Sequence, residues 1–219
     1  MNPTPQNCRR VLVIDDHALV RAGYRFLLES APGLNLRVVA EAATAAAGYR
    51  CLLRGDIDLT VLDVSLPGAG GLEVLRRMRL RGLSPRVLVV SMHDEPAMAD
   101  RAFALGANGY LCKRSDPELL VEAVAQVAVG RRFIDPAVCR VAPDHANDMS
   151  PDLAQLTDRE FEIFRQLAEG RPVEDIARAL SLSAKTIANH GTAIRSKLGI
   201  DNRAELARVA LAAGVVTLP

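Results

Sequence analysis

Between residues 10 and 130, five apolar runs of strand length alternate with five stretches of helical periodicity, and few folds accept that order. The runs lie at 11–14, 36–40, 59–62, 87–91 and 109–112, and the helical stretches at 17–31, 43–54, 71–81, 96–105 and 117–129. Such alternation predicts a doubly wound α/β sheet of five parallel strands with helices on both faces. Right-handed crossovers then carry the strand ends to one edge, where sheets of this kind bind ligands. In the first helix Leu19, Ala22, Phe26 and Leu27 are expected to form the apolar side. Arg76, Arg77, Arg79 and Arg81 give the third an outward basic face.

The central run, Leu59 to Leu62, ends at Asp63, and the breaker Pro67-Gly68 follows. A continuous apolar run closed by a breaker reads as a fully buried strand and its loop. Asp63 is then a carboxylate presented at a site. The first run delivers a second acidic pair, Asp15-Asp16, to the same edge. Three acids there would repel one another and hold their protons unless a cation sits among them. An oxygen-rich pocket of that kind suits a hard ion such as Mg²⁺. Asp15 or Asp16 can equally cap the helix that follows, and capping and cation binding are compatible.

Composition excludes several classes. The formal charge of the 219-residue chain is +1, so any basic surface must be local. Cys8, Cys51, Cys112 and Cys139 form no C-x-x-C pair, which argues against a zinc site or disulfide framework and for a reducing compartment. The apolar runs are too short to span a bilayer, and residues 1–10 hold no signal-peptide core. The expectation is a cytoplasmic protein without a membrane partner.

Beyond residue 130 the pattern stops. Pro136, Pro143 and Pro151, with Asp144, Asn147, Asp148 and Ser150, read as a linker over 131–155, with a helical extension around 136–141. This divides the chain into domains at 8–130 and 156–219. The second is wholly helical. Thr157-Asp158-Arg159-Glu160 fits a capping box. Ser183 is a good N-cap for a helix over 184–198, and a short helix over 173–180 precedes it. A short helix, a tight turn and a longer helix make a helix-turn-helix candidate.

Both halves resemble one family. Asp15-Asp16, Asp63, Pro67-Gly68, Ser91 and Gly109-Tyr110-Leu111-Cys112-Lys113 are similar to the motifs of a two-component receiver domain, which has a flavodoxin-like fold. Leu156 to Glu160, Ile176-Ala177, Leu182-Ser183, Lys185-Thr186-Ile187, His190 and Lys197-Leu198-Gly199 resemble a LuxR-type helix-turn-helix. Together they resemble the NarL/FixJ response regulators over nearly the whole chain. The resemblance implies that Asp63 accepts a phosphoryl group from a sensor histidine kinase. It gives Mg²⁺ to Asp15, Asp16, Asp63 and the Ser65 backbone carbonyl. It implies that Lys113 pairs with phosphoryl oxygens, that Ser91 donates its hydroxyl to one, and that Tyr110 is an aromatic switch. Read alone, Lys113 is a solvated lysine, Ser91 a strand-end hydroxyl and Tyr110 an edge residue with a wet hydroxyl.

On the helix over 184–198, Ile187, Gly191, Ile194 and Leu198 mark the inward face. Lys185, Asn189, Thr192 and Ser196 share the outer one, with Ala188 and Arg195 beside it. Such a face can enter a major groove. Asn189 would bond an adenine edge, Ala188 or Thr192 would touch a thymine methyl, and Lys185, Arg195 and Lys197 would take phosphates, with Thr186 in the same motif. Family members commonly carry lysine where Ala188 stands, and a larger residue where Gly191 stands. Residues 156–219 hold nine basic and eight acidic side chains, a weak balance for binding DNA, although 185–208 hold five and two.

The expectation is a transcription factor, not an enzyme, that dimerises when phosphorylated and binds double-stranded DNA. The rival is a phosphorylation-independent regulator whose first domain serves dimerisation or ligand sensing. A phosphohydrolase would need an acid two residues after Asp63, where Ser65 stands.

Overall fold

The computed structural model describes residues 8–66, 70–139, 153–213 and 215–216. The Pro67-Gly68 breaker, Pro143 and Pro151 lie outside them. Strands β1 (Arg9–Ile14), β2 (Leu36–Ala42), β3 (Leu59–Asp63), β4 (Arg86–Ser91) and β5 (Gly109–Cys112) alternate with α1 (Ala18–Ser30), α2 (Ala45–Leu52), α3 (Gly71–Leu80), α4 (Pro96–Ala104) and α5 (Pro117–Ala128). The chain then adds a two-residue strand, β6 (Phe133–Ile134), and a turn of helix, α6 (Pro136–Cys139). The sheet runs β2-β1-β3-β4-β5-β6, and every described pairing is parallel. Five strands were expected and six are present among the described residues. Two residues are too few to show a hydrophobic period, and β6 is recognised only by its pairing with Gly109 and Tyr110.

The strands form because alternate residues serve two cores. Val11 and Val13 face the side covered by α1 and α5, while Leu12 and Ile14 face the side covered by α2, α3 and α4. β3 is central and buried at all five positions, so its sequence shows no polar alternation. Helix α1 departs from expectation. Leu19 and Phe26 are 86% and 71% exposed, Ala22 is exposed, and the inward stripe is Tyr24, Leu27 and Leu28. The helix carries two overlapping apolar stripes, and only the sheet decides which is covered.

A 3₁₀ turn (Leu153–Gln155) leads into α7 (Asp158–Ala168), α8 (Val173–Ala179), α9 (Ala184–Leu198) and α10 (Arg203–Ala212). The capping box is complete: Thr157 Oγ1 accepts from Glu160 N–H at 3.2 Å and Glu160 Oε2 accepts from Thr157 N–H at 2.7 Å. Ser183 caps α9 through Thr186 N–H, and Gly199 ends it at a φ of 64°. Helix α7 packs on α9 and α10, with Phe161, Ile163 and Phe164 fully buried.

The helical part lies against α4. The 3₁₀ turn packs on α4, the Arg101 guanidinium sits 5.5 Å over the Phe161 ring, and the apolar packing on the α2–α4 side continues into the helices.

Candidate functional site

Register builds the site. β1 and β3 pair Ile14 with Leu62, so the residues that follow, Asp15 and Asp63, emerge side by side where the strand order reverses. Both are 1% exposed. Oδ1 of Asp63 accepts from Ser65 N–H at 2.9 Å, and Oδ1 of Asp15 accepts from His17 N–H at 2.8 Å. Neither Asp15 nor Asp16 is the N-cap of α1; His17 holds that position, without a side-chain capping bond. Asp15, Asp16, His17 and Asp63 can each direct one ligand atom to a common point, these atoms lying within 4.8 Å of one another. Oδ1 of Asp16 is buried and makes no hydrogen bond, although His17 Nδ1 faces it at 2.9 Å. Three carboxylates with an unmet acceptor form a donor set that suits a hard divalent cation.

Lys113 closes the group from β5. Its ammonium donates to Oδ2 of Asp15 and Oδ2 of Asp63, both at 2.7 Å. With 10% of its side chain exposed it is no solvated surface lysine. Burial pushes the Asp63 carboxyl above its usual range, although Lys113 and the Ser65 amide oppose the shift. Burial works against the Lys113 charge as well, but its hydrogen bonds to Asp15 and Asp63 outweigh that and hold its pKa above the ordinary value.

Ser91, at the end of β4, is fully buried, and its Oγ accepts from His93 N–H at 3.0 Å. Tyr110 is also fully buried. Its hydroxyl donates to the His93 carbonyl at 2.9 Å and is not wet. Burial raises its pKa well above the usual phenol value. The backbone of His93 therefore joins Ser91 to Tyr110.

Several residues of the site carry no sequence signal of their own. Gly71 opens α3 against the Asp63 backbone: a Cβ there would lie 2.0 Å from the Asp63 carbonyl oxygen. Arg21 donates to the Asp15 carbonyl at 2.7 Å. Asp135, within the expected linker, is 1% exposed. It accepts from Cys112 N–H at 3.0 Å, Ser115 Oγ–H at 2.5 Å and Ala137 N–H at 2.8 Å. A buried Asp beside Pro136 looks like any turn residue until the chain is folded.

In the helical domain, the outer face of α9 stays uncovered. Lys185, Ala188, Asn189, Thr192 and Lys197 are exposed, with Thr186 and Arg195 half-buried. Thr186 Oγ1 shares a 2.7 Å hydrogen bond with Ser183 Oγ, and Arg195 donates to Thr192 Oγ1 at 3.3 Å. Lys197 turns back to Oε2 of Glu160 at 2.6 Å and so serves the capping box. The first domain meets α7 through His93–Glu162, Glu95–Arg165 and Arg101–Phe161, and the exposed residues of this face take no part in those contacts. Among the described residues no helix is long and apolar enough to cross a membrane.

Comparison with known proteins agrees with both halves. Residues 11–125 match the response regulator receiver domain, and residues 154–210 match the bacterial regulatory proteins of the luxR family. The transcriptional activator protein ExaE of Pseudomonas putida is 36% identical over 95% of this chain and 98% of its own. The nitrate/nitrite response regulator protein NarL of Escherichia coli (strain K12) is 36% identical over 90% and 92%. A LuxR-family two-component response regulator from Aurantimonas superposes over 60% of this chain and 92% of its own, with 43% identity and a TM-score of 0.56. The response regulator RcsB, solved with DNA, superposes over 94% and 99%, with 28% identity and a TM-score of 0.60. With a receiver fold bearing the acid pocket and a LuxR-type helix-turn-helix behind it, the chain belongs to the NarL/FixJ family of response regulators, a family of transcriptional regulators.

Proposed function

We propose that Asp63 accepts a phosphoryl group from a sensor histidine kinase, and that this modification promotes dimerisation and sequence-specific binding of double-stranded DNA. The observation that carries the reading is Lys113, drawn across the sheet edge onto Asp15 and Asp63 at 2.7 Å each. An Asp63 oxygen forms the new bond to phosphorus as the nitrogen–phosphorus bond of the phosphohistidine breaks, its electron pair returning to the imidazole. Asp15, Asp16, Asp63 and the Ser65 carbonyl would hold Mg²⁺, which supplies positive charge against the incoming anion. Lys113 supplies a second positive charge from its position beside Asp63. Ser91 Oγ–H would donate to a phosphoryl oxygen. The added charge and acceptor oxygens then bias a two-state loop.

In the second domain Lys185, Thr186, Ala188, Asn189, Thr192 and Arg195 meet DNA, phosphates positioning the helix and base edges supplying sequence, while Lys197 stays on Glu160. The units are residues 8–130 and 156–219, joined by 131–155, with β6 paired to β5 of the receiver and α6 against α4. The protein acts in the cytoplasm as a regulator, with no substrate of its own to turn over. Treatment with a small phosphodonor and Mg²⁺ tests the reading. Stable addition of one phosphoryl mass, followed by tighter DNA binding, is expected; an unmodified chain with full DNA affinity overturns it.

A further inference from the structure

The loop between β4 and α4 carries a charge cluster that no step of phosphoryl transfer requires. His93 lines a cleft between the domains together with Ser65, Leu66, Met98, Arg159, Leu180 and Leu182. Both of its ring nitrogens face carboxylates. Nδ1 lies 3.4 Å from Oε2 of Glu95 on the same loop, and Nε2 lies 3.5 Å from Oε2 of Glu162 on α7 of the DNA-binding domain. These three side chains are all less than one-fifth exposed.

A neutral imidazole has one N–H and one lone pair, so it can satisfy only one of two flanking carboxylates and must turn a lone pair on the other. The imidazolium donates to both. Oε2 of Glu95 is buried and makes no close hydrogen bond, so its charge depends on the ring opposite it.

The other charged groups around the ring are engaged. Asp94 turns to Arg114 at 2.5 Å. Arg165 on α7 binds Glu162 at 2.9 Å, reaches Glu95 at 3.9 Å and pairs with Glu169. Arg159 donates to the Leu180 carbonyl at 2.6 Å, and Arg101 of α4 stacks over Phe161. Without a proton on His93, the cluster at the interface holds Glu95 and Glu162 against Arg165 alone.

We propose that His93 is a proton-dependent clamp between the receiver and the DNA-binding domain, closed when the imidazole bridges Glu95 and Glu162 as a cation and released when it is neutral. The electrostatics agree in direction. Burial and Arg165 work against the charge, but Glu95 and Glu162 outweigh them and raise the His93 pKa. A raised histidine pKa means that the clamp is fully present below the ordinary imidazole value of about 6.5 and is lost as pH rises through the raised value. The clamp engages α7 and leaves the outer face of α9 open, so it sets where that face is carried and does not mask it. The same residue's backbone holds Ser91 and Tyr110, which places the clamp at the loop that would answer a change at Asp63.

The test uses the full chain with no phosphodonor, so its outcome is independent of the Asp63 reading. Histidine NMR titration, with His93 assigned by its loss in His93→Gln, is expected to give a midpoint above the ordinary value. That midpoint should fall in both Glu162→Gln and Glu95→Gln. X-ray scattering should show a compact chain at about pH 6 and a larger radius of gyration at about pH 9. His93→Gln should lose that pH dependence, and His93→Lys should stay compact at both. An ordinary His93 midpoint that ignores Glu162→Gln, or equal dimensions of the parent at both pH values, overturns the clamp.

Discussion

The ammonium of Lys113 lies 2.7 Å from Oδ2 of Asp63, although β4 runs between the strands that lead to them. The lysine crosses the sheet edge and neutralises part of a buried acid group. Removing it leaves Asp15 and Asp63 facing each other at 1% exposure, a stronger penalty than a surface lysine would carry. Lys113→Ala should therefore destabilise the metal-free chain by about 3 kcal/mol. Mg²⁺ should restore much of the loss, because it binds the folded pocket and not the unfolded chain. Urea melts with and without Mg²⁺ check this; a variant as stable as the parent would show that the pocket does not need the cation.

Asp63→Asn should abolish phosphodonor-dependent mass gain and weaken the rise in melting temperature that Mg²⁺ gives the parent. The pH dependence has a defined sign. Burial raises the folded-state pKa of Asp63, so its favourable contribution is fully present below the unfolded value of about 3.9 and is lost as pH rises through the raised one. Near neutrality the ionised Asp63 is a cost. Metal-free Asp63→Asn should therefore lose less stability than the parent between about pH 4 and 7. Parallel stability–pH curves would contradict that assignment.

Tyr110→Phe is the clean probe of the switch. It keeps the buried volume and removes the hydroxyl on the His93 carbonyl, at a cost of about 1–2 kcal/mol. Tyr110→Ala would empty a fully buried site and cost about 3–5 kcal/mol, confounding signalling with unfolding. The Phe variant should accept the phosphoryl group yet dimerise less on donor treatment, as read by sedimentation. Equal dimerisation would leave Tyr110 a packing residue.

Two glycines should respond in opposite ways. A Cβ at Gly71 would meet the Asp63 carbonyl at 2.0 Å and the Val64 Cα at 2.8 Å, both backbone atoms that cannot step aside. Gly71→Ala should cost more than about 3 kcal/mol and disturb the acid pocket. At Gly191, inside α9, a Cβ would lie 3.5 Å from Leu167 Cδ1, an ordinary contact. Gly191→Ala should stabilise by about 0.5–1 kcal/mol through helix propensity. Thermal melts of both variants check the pair.

The DNA face has a measurable salt signature. With Lys197 held by Glu160, the α9 cations free to meet phosphates are Lys185 and Arg195. A dimer would then neutralise about four phosphates, for a log–log salt slope of about −3.5; Ala188→Lys should steepen it to about −5.5. Asn189→Ala should relax one base preference with little change in slope. Lys197→Gln should act mainly on stability, by loosening Glu160 at the start of α7. Its loss would show in melts before it shows in binding isotherms.

What the sequence made legible was whatever has a short-range cause. Asp15, Asp63, Ser91 and Lys113 end apolar runs, and the capping box and the Ser183 cap lie within four residues of their partners. Long-range facts were not legible. That Leu19 and Phe26 face solvent depends on which stripe the sheet covers, and that Lys197 serves Glu160 depends on how α7 packs on α9. His93 has no motif of its own. Its partners are Glu95, two residues away, and Glu162, which only the docking of the second domain brings near.

Asp135 bears on how the chain can be divided. It fastens the first residues beyond α5 to the Cys112 amide and the Ser115 hydroxyl, so the loop that carries Lys113 is held partly from outside the five-stranded core. A receiver cut after Gly130 would expose the edge of β5, leave the Cys112 amide unpaired and free the Lys113 loop. A cut after Cys139 keeps all three. Phosphorylation rates measured on the shorter fragment would then describe a slackened loop, and differences from the whole chain would be mistaken for an effect of the missing DNA-binding domain.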